Sequence, residues 1–203
     1  MPVLPELIRL SWQRPGLDAS QRSTAMAMLS PAELSRAELS RAELSRAGSD
    51  SVIQGRMLLR TLAGELLGLD PRAVPLSATC ADCGGPHGQP RIPGLSLSLS
   101  HCATAVVAVA AAEGHIGVDV EPLDGSAERA AAIAEVAGAG GIRRWTSVEA
   151  VLKCDGRGLR VDPREVAVTE GSAALGDGRY QLWHPELAGD LQVTVAWRAS
   201  SPA

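Results

Sequence analysis

The chain has 203 residues, enough for one ordinary domain or for two small lobes that share a core. Its formal net charge of −4 argues against a general nucleic-acid-binding protein, which usually carries a basic excess. The longest apolar run, residues 105–112, is far shorter than the ~20 residues of a membrane-spanning helix, so we expect no membrane partner. Four cysteines, with no visible secretory signal in residues 1–12, indicate a cytoplasmic location in which thiols stay reduced.

A five-residue repeat, AELSR, fills residues 32–46 three times over. Five residues turn a helix by about 140° beyond a full turn, so the repeated leucines scatter around the axis and form no coiled-coil seam. Three short copies are also too few for a solenoid. Ser30, Pro31 and Glu33 form a helix start with a capping box, and Gly48 is a stop, which together predict one helix over 31–47.

An apolar stripe at helical spacing predicts a second helix over 49–68, which Asp70-Pro71 ends. A turn-rich segment follows, and then three strands are predicted, over residues 95–99, 104–112 and 115–121. Because the links between these strands are short, we expect them to form an antiparallel meander.

The remainder of the chain repeats the order of helices followed by strands. We predict helices over 125–142 and 145–154, the latter capped by Thr146, and strands over 165–169, 180–183 and 191–197. This order predicts an α+β fold of two pseudo-symmetric halves, residues 1–112 and 113–203, each with a small antiparallel sheet and helices. We expect the active site in the cleft between them and a monomeric chain.

The most specific constellation combines D119-V-E121 with E149-x-x-x-K153. Asp119 and Glu121 are two residues apart on a predicted strand, so they face the same way and can share one hard cation. Glu149 and Lys153 are four apart on a predicted helix, so both can reach one site. Three carboxylates and an ammonium suit Mg²⁺-assisted transfer at a phosphate. The same spacings also occur as an ordinary strand end and a surface ion pair.

Lysine occurs once in the chain, at position 153, although arginine is abundant. A compact ammonium and a planar guanidinium differ in geometry and acidity, so this position favours a specific need for lysine, although one instance can also arise by chance.

Other candidates carry weaker signals. Ser100-His101, at the mouth of a predicted hairpin, could bind phosphate, and so could Arg56 with Arg60. C80-x-x-C83, followed by His87, has the spacing of half a zinc site, but no second pair completes it. A turn with free thiols is the simpler interpretation of these cysteines.

Read in order, five stretches resemble the 4′-phosphopantetheinyl transferases of the surfactin-synthetase-activating type. The most specific are G-V-D-V-E at 117–121 and W-T-x-x-E-A-x-x-K at 145–153. The other three are residues 55–71, 83–94 and 97–110, so that the resemblance covers most of residues 29–170.

The resemblance implies an enzyme that moves the phosphopantetheine arm of coenzyme A to a serine of an apo acyl or peptidyl carrier protein, with release of 3′,5′-ADP. It implies Mg²⁺ as cofactor on Asp119, Glu121 and Glu149. Glu149 would help to deprotonate the carrier serine, and Lys153 would assist departure of the nucleotide. The implied coenzyme A contacts are Arg56, Gln89, Ser100, His101 and Lys153. A basic pair, Arg143-Arg144, is a candidate surface for an acidic carrier.

Four features depart from this family. Gln89 and Val148 stand where relatives carry lysine, Ser51 lies where a basic residue is common, and the segment 122–144 is short and glycine-rich. Lost contacts to a charged phosphate weaken coenzyme A binding, by ~1.5–3 kcal/mol each. A second hypothesis is therefore a module of the same fold that binds coenzyme A or a carrier protein without turnover. A zinc protein using Cys80, Cys83 and His87 is a third.

Overall fold

The computed structural model describes residues 4–31, 33–35, 46–80, 83–85 and 88–200. The described helices are α1 (Ala19–Met26), α2 (Arg46–Leu67), α3 (Ala127–Ala137) and α4 (Gly141–Asp155). The strands of the first half are β1 (Ile8–Gln13), β2 (Ser96–His101) and β3 (Val106–Ala111). The later strands are β4 (His115–Pro122), β5 (Ala167–Thr169), β6 (Ser172–Leu175), β7 (Gly178–Trp183) and β8 (Leu191–Arg198). Among these helices none is both long and apolar enough to cross a membrane.

The strands form two antiparallel sheets. One has the order β1-β3-β2 and the other the order β4-β8-β7-β6-β5. The predicted mixed α and β architecture is therefore confirmed. The first sheet lies within residues 1–112 and the second within 113–203, whereas the pseudo-symmetry of these halves stays a prediction.

Strand β3 explains how the layers stack. All six of its residues are buried, because both faces of the first sheet are covered. Val106, Ala108 and Ala110 pack against α2, whereas Val107 and Val109 pack against the second sheet. On the far side of the second sheet, α4 packs its apolar residues against β7 and β8. The order of layers is thus α2, first sheet, second sheet, α4.

The predicted meander is wrong for its third strand. β4 follows β3 after a three-residue turn but pairs with β8, in the other sheet. The apolar face of β4, with Ile116, Val118 and Val120, packs on the apolar face of β3 in one core cluster. A short link brings two strands close together, but here burial of both apolar faces favours stacking over edge pairing.

The helices around residue 140 begin and end at positions other than those predicted. α3 ends at Ala137 and α4 begins at Gly141, because Gly138 and Gly140 adopt φ values of 81° and 130° that end the first helix. Thr146, predicted as a cap, is buried inside α4, where its hydroxyl donates to the Arg143 carbonyl oxygen. The glycines act here as a break between two helices.

Near the N-terminus the sequence analysis missed β1 and α1, although Asp18 and Gln21 form a capping box that marks the start of α1. The capping box at Ser30 and Glu33 is confirmed, with the Glu33 carboxylate accepting from the Ser30 amide at 2.8 Å. Most of the AELSR repeat lies outside the described residues, but the predicted stop at Gly48 is wrong, because α2 begins at Arg46 and runs through that residue. β6 was also missed, since its sequence SAAL has no β-branched or aromatic residue.

Gly117 lets α4 approach β4 closely. A Cβ atom at this position would overlap the carbonyl oxygen of Ala150 and lie 2.5 Å from the amide nitrogen of Cys154. Both are backbone atoms of α4, so they cannot move aside as a flexible side chain would. The absence of a side chain on this face of β4 therefore sets the distance between strand and helix.

Gly117→Ala is expected to destabilise the fold by about 1–3 kcal/mol or more, because a methyl group there forces α4 away from β4. Urea denaturation of both proteins measures the loss. Gly189→Ala is the matched control, since a Cβ at this exposed glycine meets no atom within 4 Å. Equal stability of the two variants would contradict the close packing of α4 on β4.

Tyr180, the only tyrosine, reports the docking of the C-terminal end of α4 on β7. Its hydroxyl donates to Asp155 Oδ1 at 2.9 Å. Burial, with the hydrogen bond and the negative charge of Asp155, raises the pKa of Tyr180 to about 12. In an ultraviolet titration of the folded protein, we expect no phenolate absorbance around the ordinary tyrosine pKa of about 10. Asp155→Asn should lower this pKa, and ordinary titration in the wild type would contradict the docking.

Candidate functional site

Asp119 and Lys153, 34 residues apart, meet where α4 crosses β4. Lys153 Nζ donates to Asp119 Oδ1 at 2.7 Å. The Asp119 side chain is 5% exposed and that of Lys153 29%, so the pair is partly shielded from water. Shielding strengthens the attraction between the charges but also makes each of them costly without the other.

Ser100 joins this pair from the first sheet. Its hydroxyl donates to Asp119 Oδ1 at 2.8 Å and accepts from Lys153 Nζ at 3.0 Å. The structure therefore brings together three of the predicted site residues, from β2, β4 and α4, in one hydrogen-bonded cluster.

Glu121 lies further along β4, on the same face as Asp119, and both of its carboxylate oxygens are engaged. Oε1 accepts from the indole nitrogen of Trp145 at 3.1 Å, and Oε2 accepts from Arg129 at 2.6 Å. The sequence analysis missed both partners. Trp145 stands four residues before Glu149 and eight before Lys153, a spacing that places all three on one side of α4 and could have identified it.

Glu149 lies on the same side of α4, between Trp145 and Lys153. Burial raises the pKa of the Glu149 carboxyl, with the positive charge of Lys153 opposing this effect and the negative charges of Asp119 and Glu121 adding to it. These Coulombic effects require the groups to lie near one another. Glu149 stands one helical turn from both Trp145, which contacts Glu121, and Lys153, which contacts Asp119, so Asp119 and Glu149 do not face opposite surfaces of the protein.

The donor set has the chemistry of a hard-cation site, because all its ligating atoms are carboxylate oxygens. Asp119 Oδ2 is buried and has no hydrogen-bond partner in the described part of the chain, so it offers a free acceptor. However, no three His, Cys, Asp or Glu side chains of the described residues are close enough together to hold a metal ion. Both carboxylate oxygens of Glu121 are already bonded, to Arg129 and to Trp145.

His101 ends β2 directly after Ser100. Partial desolvation and the positive charge of Lys153 lower the pKa of its imidazole. A neutral imidazole beside an ammonium can donate a hydrogen bond to an anion without adding a second full charge.

Gln89 and Lys153 line one cavity of about 310 Å³, together with Leu99 and Gly156. A larger cavity of about 1080 Å³ adjoins it, with Gln89 also in its lining, but Lys153 does not contribute to that lining. The smaller cavity is therefore the one associated with the charged cluster. Arg56 is buried on α2, the helix that packs on the first sheet, and its predicted contact with coenzyme A stays a prediction.

Two of the other candidate arginines serve the fold. Arg60 is buried, pairs with Glu33 at 2.7 Å and donates to the Val74 carbonyl oxygen, so it is not a phosphate clamp. Arg144 donates to the carbonyl oxygens of Ala137 and Val166, which leaves Arg143 as the exposed member of the predicted basic pair.

Two residues that depart from the family pattern, Val148 and Ser51, are buried. Val148 is fully buried on the apolar face of α4, against the second sheet. Ser51 is buried on α2 beside Asp50, which pairs with Arg22 of α1. Cys80 is half-buried and Cys83 is exposed. His87, the third member of the zinc hypothesis, lies outside the described residues.

Comparison with known proteins adds no family assignment, since no protein-family model and no curated protein matches the chain.

We expect Glu149→Gln to increase the free energy of unfolding, relative to the wild type, more at neutral pH than at about pH 4. The lower pH lies just below the ordinary glutamate pKa. The folded chain keeps the Glu149 proton over a pH range in which the unfolded chain has lost it, so the stability of the wild type falls as pH rises through that range. The variant lacks this loss. Urea denaturation at both pH values measures the difference, and Glu186→Gln on an exposed loop provides the baseline for removing one charge. A Glu149→Gln effect equal to this baseline would contradict the burial of Glu149.

Proposed function

We propose that this protein transfers the 4′-phosphopantetheine arm of coenzyme A to a serine of an apo acyl or peptidyl carrier protein. The observation that carries the proposal is the direct contact of Lys153 with Asp119, at 2.7 Å. These residues belong to the two stretches that carry the family resemblance most specifically, and the fold brings them to one point. An accidental resemblance would not require the two stretches to meet.

Phosphoryl transfer needs mainly positioning and charge stabilisation from a protein, and the cluster can supply both. In our proposal Lys153 Nζ donates to the oxygen that leaves with 3′,5′-ADP, where negative charge develops. In the same proposal the Glu149 carboxylate takes the proton from the carrier serine hydroxyl, directly or through a bound water.

Mg²⁺ would be held by Asp119 Oδ2 and Glu149, with Glu121 joining them if Arg129 and Trp145 release it, and would neutralise the diphosphate oxygens. The free acceptor on Asp119 supports this assignment. The bonds from Arg129 and Trp145 to Glu121 favour two protein ligands over three in the present arrangement.

We place the coenzyme A phosphates at the 310 Å³ cavity, whose lining includes Gln89 and Lys153. His101, at the end of β2, is the further phosphate contact that the resemblance implies. In this proposal the ligand lies in a cleft between the halves 1–112 and 113–203, as the resemblance implies. The exposed Arg143 is then the candidate contact for an acidic carrier protein.

The second candidate function, binding of coenzyme A or carrier protein without turnover, is favoured by two observations. Gln89, lining the cavity, provides no positive charge for a phosphate. Glu121 is already bound by Arg129 and Trp145. The two candidates predict the same ligands but differ in whether product appears.

The deciding experiment incubates the protein with coenzyme A, Mg²⁺ and several apo carrier proteins, and then measures each carrier by mass spectrometry. We expect a mass increase of one phosphopantetheine arm on the carrier. Asp119→Asn should reduce the rate about 100-fold or more, because the group that orients Lys153 and offers a charged oxygen is lost.

Asp190→Asn is the matched control, since Asp190 forms an exposed ion pair with Arg14 at 2.6 Å and its side chain makes no bond to Asp119, Ser100 or Lys153. It should retain the wild-type rate. Undiminished transfer by Asp119→Asn would overturn the site assignment. Binding of coenzyme A in calorimetry, with no mass increase on any carrier, would support the second candidate instead.

A further inference from the structure

Alternating serines of β2 follow the free edge of β4. Each hydroxyl accepts a hydrogen bond from one backbone amide of β4. The pairs are Ser96 with Ile116 at 2.9 Å, Ser98 with Val118 at 3.0 Å and Ser100 with Val120 at 3.4 Å. We call this set the serine ladder.

The ladder follows from the period of two that both strands share. β4 pairs with β8 along one edge, so alternate amides face away from that partner. A buried amide without an acceptor costs free energy, and the serine hydroxyls meet this requirement across the gap between the two sheets. The sequence LSLSLS thereby fixes the position of β4 along β2.

Ser100 differs from the other members of the ladder because its hydroxyl has two further partners, Asp119 Oδ1 and Lys153 Nζ. A serine hydroxyl has one proton to donate and two lone pairs that accept. The hydroxyl donates its one hydrogen bond to Asp119. Its two lone pairs accept hydrogen bonds from the amide of Val120 and from the ammonium of Lys153. The hydroxyl is therefore fully engaged within the protein, and the residue is only 6% exposed.

We infer that Ser100 is a positioning residue, which fixes Lys153 and Asp119 relative to each other, and not a ligand of the coenzyme A phosphates as the family resemblance implies. The bonds from Val120 and Lys153 direct the hydroxyl proton to Asp119 Oδ1. Both described partners of the Asp119 carboxylate thus lie on Oδ1, which leaves Oδ2 free for a further ligand. The kinetic consequence of this inference rests on the proposed function, whereas its structural consequence does not.

The structural test uses the fact that Lys153 is the only lysine. Selective ¹³C and ¹⁵N labelling of lysine gives one side-chain signal in the full-length protein without ligand. In the wild type, we expect two distinct ε-proton shifts, because the ammonium is held in one position. Ser100→Ala should merge these shifts, whereas Ser100→Thr, which keeps a hydroxyl, should preserve them.

Ser96→Ala is the matched control. It also removes the hydroxyl partner of one β4 amide, but Ser96 has no bond to Asp119 or Lys153. The Lys153 signal should therefore stay unchanged in this variant, and circular dichroism should show that all three variants are folded. An unchanged Lys153 signal in folded Ser100→Ala, or an equal change in Ser96→Ala, would overturn the inference. If Ser100→Ala does not fold, the comparison of Ser100→Thr and Ser100→Cys, a weaker hydrogen-bonding group, replaces it.

The kinetic test measures transfer by the same variants. A positioning role predicts that Ser100→Ala lowers kcat about tenfold or more and leaves KM for coenzyme A within about twofold, because the ground-state ligand makes no contact with the hydroxyl. A raised KM with an unchanged kcat would identify Ser100 as a ligand of coenzyme A and overturn the inference. If the wild type itself transfers nothing, the proposed function fails, and the Lys153 signal still decides whether Ser100 positions the cluster.

Discussion

The close approach of α4 to β4 is the constraint on which the rest of the site depends. It is possible because Gly117 places no side chain between the strand and the helix backbone. Residues two and four positions further along β4, Asp119 and Glu121, then face Lys153 and Trp145 on the same helix. Asp119 and Glu121 are two residues apart on the strand, and their partners Lys153 and Trp145 are eight apart on the helix, so one steric condition aligns the whole row of polar groups.

The charged groups lie beside the apolar contact of α4 with the second sheet, and this partial burial explains the pKa of Glu149 and the pairing of Lys153. α4 packs its apolar face on the second sheet, so Glu149 and Lys153 are left at a partly buried boundary. Burial disfavours an isolated charge, which explains both the raised pKa of Glu149 and the pairing of Lys153 with Asp119. A compact ammonium can donate to two acceptors on one side, Asp119 and Ser100, in a space where a planar guanidinium would need a different geometry.

The two sheets are joined at β2 and β4 by hydrogen bonds from backbone amides to serine side chains, whereas a continuous sheet would join them by backbone pairing. The serine ladder satisfies the free edge of β4 and, at Ser100, connects the first sheet to the charged cluster. Arg14 and Asp190 add an exposed link between the end of β1 and the loop before β8. The polar contacts between the sheets are therefore specific in register, since a shift by one residue along β2 would present leucines to the β4 amides.

Local chemistry in the sequence determined the capping box at Ser30. It also determined the apolar face of β4 and the common face of Asp119 and Glu121. These features depend only on neighbours within a few residues. Local chemistry also determined, through the spacing of Glu149 and Lys153, that both lie on one side of a helix. Only the tertiary structure decided that β4 leaves the first sheet, that Arg60 pairs with Glu33 and that Arg129 binds Glu121. Such choices depend on which apolar faces and buried charges meet across long stretches of chain, and neither period nor spacing carries that information.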